Sequence, residues 1–235
     1  MNDLLYRIRR FLFQEYTPIT KGIVVFTAVF FFINIIFGFL GLNQLLELNA
    51  TKFFFLPWTL LTYPLVNLDF LTLFFGLIWL WSIGGNLERN FGSKTYSFFL
   101  AAVTITTGLA MVMMDRLFVG RNFVYNGIWL LLTGVTWAWA RLYPNQDILL
   151  FGLIPMQSKW MAWLVAGLMF SSYLKEPLIG IASLAGIPVV YLFMNRGSSR
   201  MGGFNTRIRK QGKSFSDHND NLKQKNRRSR LRVVK

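Results

Sequence analysis

PWTLLTYPLVNLDFLTLFFGLIWLWSIGGNLERNFGSKTY, residues 57–96, is the stretch whose reading decides the fold. Its middle, residues 70–85, carries no charged side chain and is apolar almost throughout. Such a run reads as a helix in lipid, because a helix rises 1.5 Å per residue and about 20 apolar residues cross the hydrocarbon core. Glu88 and Arg89 follow where that helix meets water. Upstream, Pro57 and Pro64 interrupt a segment too apolar for a free loop. Backbone at membrane depth must satisfy its own hydrogen bonds. Residues 43–69 are therefore expected to form a short amphipathic or re-entrant element in the outer interface, anchored by Trp58 and Tyr63.

Working outward, further candidate spans cover about residues 22–42, 95–114, 123–140, 160–173 and 178–194. Several are shorter than a full crossing. They must stand upright, lengthen into their flanks or be covered by neighbours. The first lacks a small-residue cleavage site and precedes more spans, so it reads as a retained span rather than a signal peptide. Residues 148–156, ILLFGLIPM, are too short to cross and end at Pro155. No internal repeat is visible.

Charge supports this layout. The 235 residues are 54% hydrophobic and 15% charged, well under the roughly 25% charged of soluble domains. Of the formal +15, the tail 195–235 holds 13 basic and 2 acidic residues. Arg7, Arg9, Arg10, Lys21, Arg89, Lys94, Arg141 and Lys159 fall on one side of a six-span layout. Lys52, Arg116, Arg121 and Lys175 fall on the other. The positive-inside rule places both termini in the cytoplasm. The tail has too little apolar surface to fold alone and reads as disordered. The expected organisation is a basic N-terminal segment, 1–21, a membrane domain, 22–194, and a basic cytoplasmic tail, 195–235.

Residue counts exclude much chemistry. There is no Cys, so no disulfide, thiolate metal site or Cys nucleophile can form. The single His, His218, lies in the tail, so no His-based dyad or zinc motif fits inside the apolar body. No metal or cofactor is expected. Polar residues within spans cost free energy and each needs a reason. Asn34, Thr72, Asn126 and Ser183 read first as helix–helix or back-bonded hydrogen bonds. Glu88 with Arg89 reads as an interfacial pair capping a helix end. Gly38 and Gly41, Gly84 and Gly85, Gly127 with Gly134, and Gly180 with Gly186 mark candidate close approaches of helices.

Three stretches together resemble the rhomboid intramembrane serine proteases. GGNLERNFGS is similar to that family's G-x-x-[LV]-E-x-x-[FL]-G-S, with Glu88, Gly92 and Ser93 on the motif. LYPNQDILLFGLIPMQSKWMAW, residues 142–163, resembles its link between the fourth and fifth spans, and IASLAGIPVVYL resembles its sixth span. The likeness covers roughly residues 20–195. It implies an all-α, six-helix membrane bundle with an outward-facing cavity. Active members carry a Ser in G-x-S-G and a His in A-H-x-x-G. Here those motifs read VYNG and ASLAG. The resemblance thus puts Asn126, before Gly127, where the nucleophile belongs, and Ser183, before Gly186, where the base belongs. The oxyanion-side H-x-x-x-N reads TLFFG, so Thr72 and Gly76 replace both donors.

The side-chain chemistry points the same way. A Ser hydroxyl needs a nearby base to attack at neutral pH, and the Asn126 amide cannot attack as a hydroxyl does. Asp69, Asp115 and Asp147 lie at span ends, away from any intramembrane carboxylate pair. The expected function is a rhomboid pseudoprotease that binds transmembrane segments of client proteins, in the groove between second and fifth spans, without cutting them. One competing function is an active rhomboid endopeptidase. Another is a membrane anchor whose basic tail holds anionic lipid, or nucleic acid without sequence preference. Nucleic acid is disfavoured, since Phe215 is the tail's one aromatic for stacking bases besides Phe204 near its start. A bacterial inner membrane is the expected location, with the endoplasmic reticulum second.

Overall fold

The computed structural model describes residues 17–37, 41–150 and 154–200. Most of residues 1–21, Gly38, and the tail beyond residue 200, with His218 and Phe215, lie outside them. The chain divides into units Met1–Val190 and Tyr191–Lys235. Helices dominate. Among the described residues, four are long and apolar enough to cross a membrane: Pro18–Ile36, Phe70–Phe91, Ser93–Val119 and Pro177–Asn195. The chain is a mostly helical membrane protein.

Helix α1, Pro18–Phe37, starts with Pro in its first turn, where a missing N–H costs nothing. Its outer faces stay apolar and open: Phe26, Phe32, Ile35 and Ile36 are all more than half exposed. In water that would be a liability; in lipid it is the expected surface. Short helix α2, Leu42–Leu46, and strand β1, Leu48–Asn49, follow. Then come α3, Thr59–Thr62, and a 3-10 turn, Tyr63–Leu65. Residues 43–69 are thus a string of short hydrogen-bonded pieces rather than one helix, because Pro57 and Pro64 prevent a continuous one.

Helix α4, Phe70–Trp79, runs through a π-helical turn, Leu80–Gly84, into α5, Gly85–Phe91. Helix α6, Ser93–Met114, likewise ends in a π-helical turn, Asp115–Val119. Between α5 and α6 the chain reverses at Gly92, whose φ of 79° lies in the left-handed region that favours glycine. Glu88 is buried just before this turn. Its Oε1 accepts from Ile19 N at 2.9 Å and Ser93 Oγ at 2.8 Å, and its Oε2 accepts from Thr20 N at 2.8 Å. Glu88 is therefore a cap, but for the first turn of α1, a helix nearly 70 residues away in sequence. The G-x-x-L-E-x-x-F-G-S motif is a joint that fastens three helix ends.

Strand β2, Val124–Tyr125, pairs antiparallel with β1, matching Leu48 to Tyr125 and Asn49 to Val124. The loop before β2 is shaped by buried Asp115, whose carboxylate accepts from Arg121 N at 3.1 Å and Phe123 N at 2.7 Å. Helix α7, Trp129–Leu142, is only 14 residues long, yet every residue from Leu130 to Ala140 is buried. A helix apolar all round belongs inside a bundle, which explains how so short an element persists. Strands β3, Asp147–Leu150, and β4, Ile154–Gln157, form a hairpin, so ILLFGLIPM pairs with itself, with its turn outside the described residues. Helices α8, Ser158–Ser171, α9, Pro177–Ser183, and α10, Gly186–Arg200, complete the order.

The connections sort into two groups. Residues 43–69 bond to the α6–α7 connection through β1–β2, and Arg121 of that connection pairs with Glu176 of the α8–α9 connection at 2.6 Å. At the other group, Glu88 reaches α1, and Tyr143 OH donates to Asn90 Oδ1 at 3.1 Å.

Candidate functional site

The segment Tyr125–Ile128 enters α7 under unusual restraint. Gly127 has φ of 101°, its N–H donates to Tyr63 O at 3.1 Å, and the Ile128 N–H donates to Asn67 Oδ1 at 3.0 Å. Asn67 is itself buried, and its amide donates back to Pro64 O at 3.1 Å. Tyr63 is buried and donates through its hydroxyl to Thr104 O at 3.1 Å. Burial pushes that phenol well above its ordinary pKa, so it stays a neutral donor. The 43–69 element thus sets the backbone on which Asn126 stands.

Asn126 is half-buried, and its Nδ2 donates to Glu47 Oε1 at 3.3 Å. It borders a groove of about 390 Å³ shared with Asn67, Asp69 and Thr72 on one side and Val165, Leu168 and Met169 of α8 on another. Asp69 caps α4: its Oδ2 accepts from Thr72 N at 2.7 Å and from the Thr72 hydroxyl. These bonds, the hydroxyl's first, hold the exposed Asp69 carboxyl below its ordinary pKa. Trp129 Nε1 closes one wall by donating to Thr72 O at 3.1 Å.

Two other residues assigned by resemblance are not among the groove's lining. Ser183 does not line this groove. It is buried in α9, and its Oγ donates to Gly180 O at 2.7 Å, a local back-bond within one helix turn. Gly76 is not a groove residue either. A Cβ there would sit 2.6 Å from Ile128 Cγ2, so the position serves the close contact of α4 with the start of α7. Gly186 is likewise a contact position, where a Cβ would stand 2.9 Å from Thr107 Oγ1 and 4.0 Å from Gly134 Cα. Asn34, midway along α1, donates to Asn43 Oδ1 at 2.6 Å. Among the described residues, no three His, Cys, Asp or Glu side chains gather as a metal site would require.

The structure adds Glu47, Asn67 and Asp69 to the residues around Asn126. Asp69 with Thr72 had a local signal, the Asp-x-x-Thr spacing of a helix cap ahead of an apolar run. Glu47 and Asn67 had none, because their partners are 79 and 61 residues away.

Chemically, the groove holds the amides of Asn67 and Asn126, the hydroxyls of Thr72, Ser172 and Tyr173, and one carboxylate, that of Asp69. Among the described residues, none brings it an imidazole or amine to take a proton from a nucleophile. The amides of Gly127 and Ile128 already have acceptors, so neither is free to donate to a developing oxyanion. Restoring the hydroxyl alone, Asn126→Ser, is expected to leave the protein unlabelled by a fluorophosphonate probe. Labelling of that variant above the Asn126 protein would show that another group acts as base.

Comparison with known proteins agrees with this architecture. The chain is 25% identical over 154 residues to a protein named rhomboid protease GlpG from Yersinia pestis (strain Pestoides F), covering 64% of this chain and 52% of that protein. It is 22% identical over 132 residues to the rhomboid protease GlpG of Salmonella paratyphi A (strain ATCC 9150 / SARB42), covering 53% and 46%. The chain spans about half the length of the curated relatives it matches. The family described as eukaryotic integral membrane protein (DUF1751) matches residues 21–193, nearly the whole described helical body. On that match the chain belongs to this family of integral membrane proteins and is rhomboid-like.

Proposed function

We propose that this protein binds transmembrane segments of other proteins in the groove beside Asn126 and does not cleave them. The observation that carries this reading is the state of the two dyad-equivalent side chains. Asn126 is tied to Glu47, and Ser183 is turned onto Gly180 O outside the groove. The groove has an apolar wall from α8 and a polar wall from Asn67, Thr72 and Asn126. A client helix with a polar or helix-breaking residue could bury its apolar face on the first and pair with the second.

The proposed arrangement has six spans, with residues 43–69 as an outer interfacial element and both termini cytoplasmic. The sorting of connections into two groups supports it, since alternate connections of an antiparallel bundle share an end. The proposed division stays 1–21, 22–194 and 195–235. A bacterial inner membrane is the proposed compartment, as both compared relatives are bacterial. The family's description as eukaryotic makes the endoplasmic reticulum its competitor. Anionic lipid is the proposed ligand of the basic tail.

The test is co-purification of single-span clients from membranes, repeated with Ser172→Trp and Leu168→Trp. Both residues are exposed and line the groove, so bulk there blocks it without disturbing the core. The variants are expected to lose most of the client signal while keeping their melting point. No enrichment over an unrelated six-span control sinks the proposal. The names of the relatives favour one rival, an active endopeptidase, and incubation with a single-span substrate tests it.

A further inference from the structure

We propose that the groove selects client helices with a basic residue just outside their outer end, through the carboxylate of Asp69. The inference rests on the reading above that a client helix occupies the groove. Asp69 lies on the groove's polar wall and is fully exposed. Its carboxylate bonds to the amide and hydroxyl of Thr72, which favour the charged form. A second carboxylate, Glu47, accepts from Asn126 Nδ2 at 3.3 Å.

Among the described residues, no Lys or Arg lines the groove. Two basic residues in the neighbouring connections, Arg121 and Arg116, are turned to other partners. Arg121 pairs with Glu176 at 2.6 Å, and the Arg116 guanidinium lies 5.1 Å from the centre of the Phe54 ring. Lys175, two residues beyond Tyr173 of the lining, is the nearest competitor in sequence. The groove therefore pairs an apolar surface, Val165, Leu168 and Met169, with one carboxylate, that of Asp69. Its complement is an apolar helix whose next residue or two outside the lipid is Lys or Arg. A long basic side chain can lay its stem on the apolar wall and deliver its charge to Asp69. A carboxylate at the mouth also disfavours clients bearing Asp or Glu there, so selection works by repulsion as well.

The experiment uses the full chain with a benzoylphenylalanine cross-linker at position 71, an exposed site beside Thr72 that does not line the groove, reconstituted in phosphatidylcholine vesicles. Three single-span peptides are compared, identical except for Lys, Gln or Glu at the outer boundary. The Lys peptide is expected to cross-link about three- to fivefold more than the Gln peptide, the range an interfacial ion pair gives, with the Glu peptide lowest. Asp69→Asn keeps the helix cap, because Asn caps as well as Asp. In that variant the Lys and Gln peptides are expected to cross-link equally. Equal labelling in the unaltered protein overturns the inference while leaving the client-helix reading intact. So does a Lys preference that survives Asp69→Asn, which would point to another anionic group or to the lipid. If none of the peptides labels above a non-inserting control, the client-helix reading fails and this inference with it.

Discussion

Replacing Glu88 by Ala is expected to destabilise the protein by about 3–5 kcal/mol, the range seen when one partner of a buried charged network is removed. The carboxylate is 1% exposed and serves three donors on two other segments. Ile19 N and Thr20 N belong to the first turn of α1, where backbone amides have no partner within the helix. Without Glu88 these amides stay buried and unsatisfied, and the favourable meeting of a carboxylate with the positive end of a helix is lost. Glu88→Gln is expected to cost roughly half as much. Its carbonyl oxygen still accepts, but its NH₂ group faces donors. Unfolding in detergent, followed by thermal melting, reads both. If Glu88→Ala lies within about 0.5 kcal/mol of the parent protein, water reaches this joint and the packing argument is wrong.

Gly134→Leu should produce a loss of similar size by a different mechanism. A Cβ at Gly134 would sit 2.5 Å from Val103 Cγ1, with Gly186 on the far side of the same crossing. Overpacking of a tight contact costs about 1–3 kcal/mol for a small addition and more for a large one. Lipid offers no hydrophobic drive to press helices together, so the close approach of α6, α7 and the start of α10 rests on packing. Val103→Ala combined with Gly134→Ala is expected to recover part of what Gly134→Ala loses, and the double-mutant cycle measures that coupling. Gly167→Ala is the contrasting case. Nothing lies within 4 Å of a Cβ there, and Ala is the better helix former. That variant is expected to melt at or slightly above the parent.

Both cases show how a residue's meaning changes between one dimension and three. Glu88 and Gly92 stand out in the sequence as parts of a motif, and the motif locates a helix end correctly. Which helix Glu88 caps could not be read from it, because Ile19 and Thr20 are 69 and 68 residues away. Gly76 and Ser183 sit in positions that resemble a catalytic site, yet each is accounted for by its immediate surroundings. Gly76 leaves room for Ile128, and Ser183 satisfies its hydroxyl on its own helix.

The hydrophobic runs by themselves determined that this is a mostly helical membrane protein. A chain in lipid must close its backbone hydrogen bonds inside each segment, so length and apolarity suffice to mark the crossing helices. The sequence by itself also determined that no thiol chemistry is open to this chain, because it holds no Cys. Tertiary structure alone decided what surrounds Asn126. The pairing of β1 with β2, the Asn67 bond to Ile128 N and the reach of Glu47 to Asn126 join residues 60 to 80 positions apart. Such contacts leave no periodic trace, because each depends on where helices end and cross rather than on the pattern along any one of them.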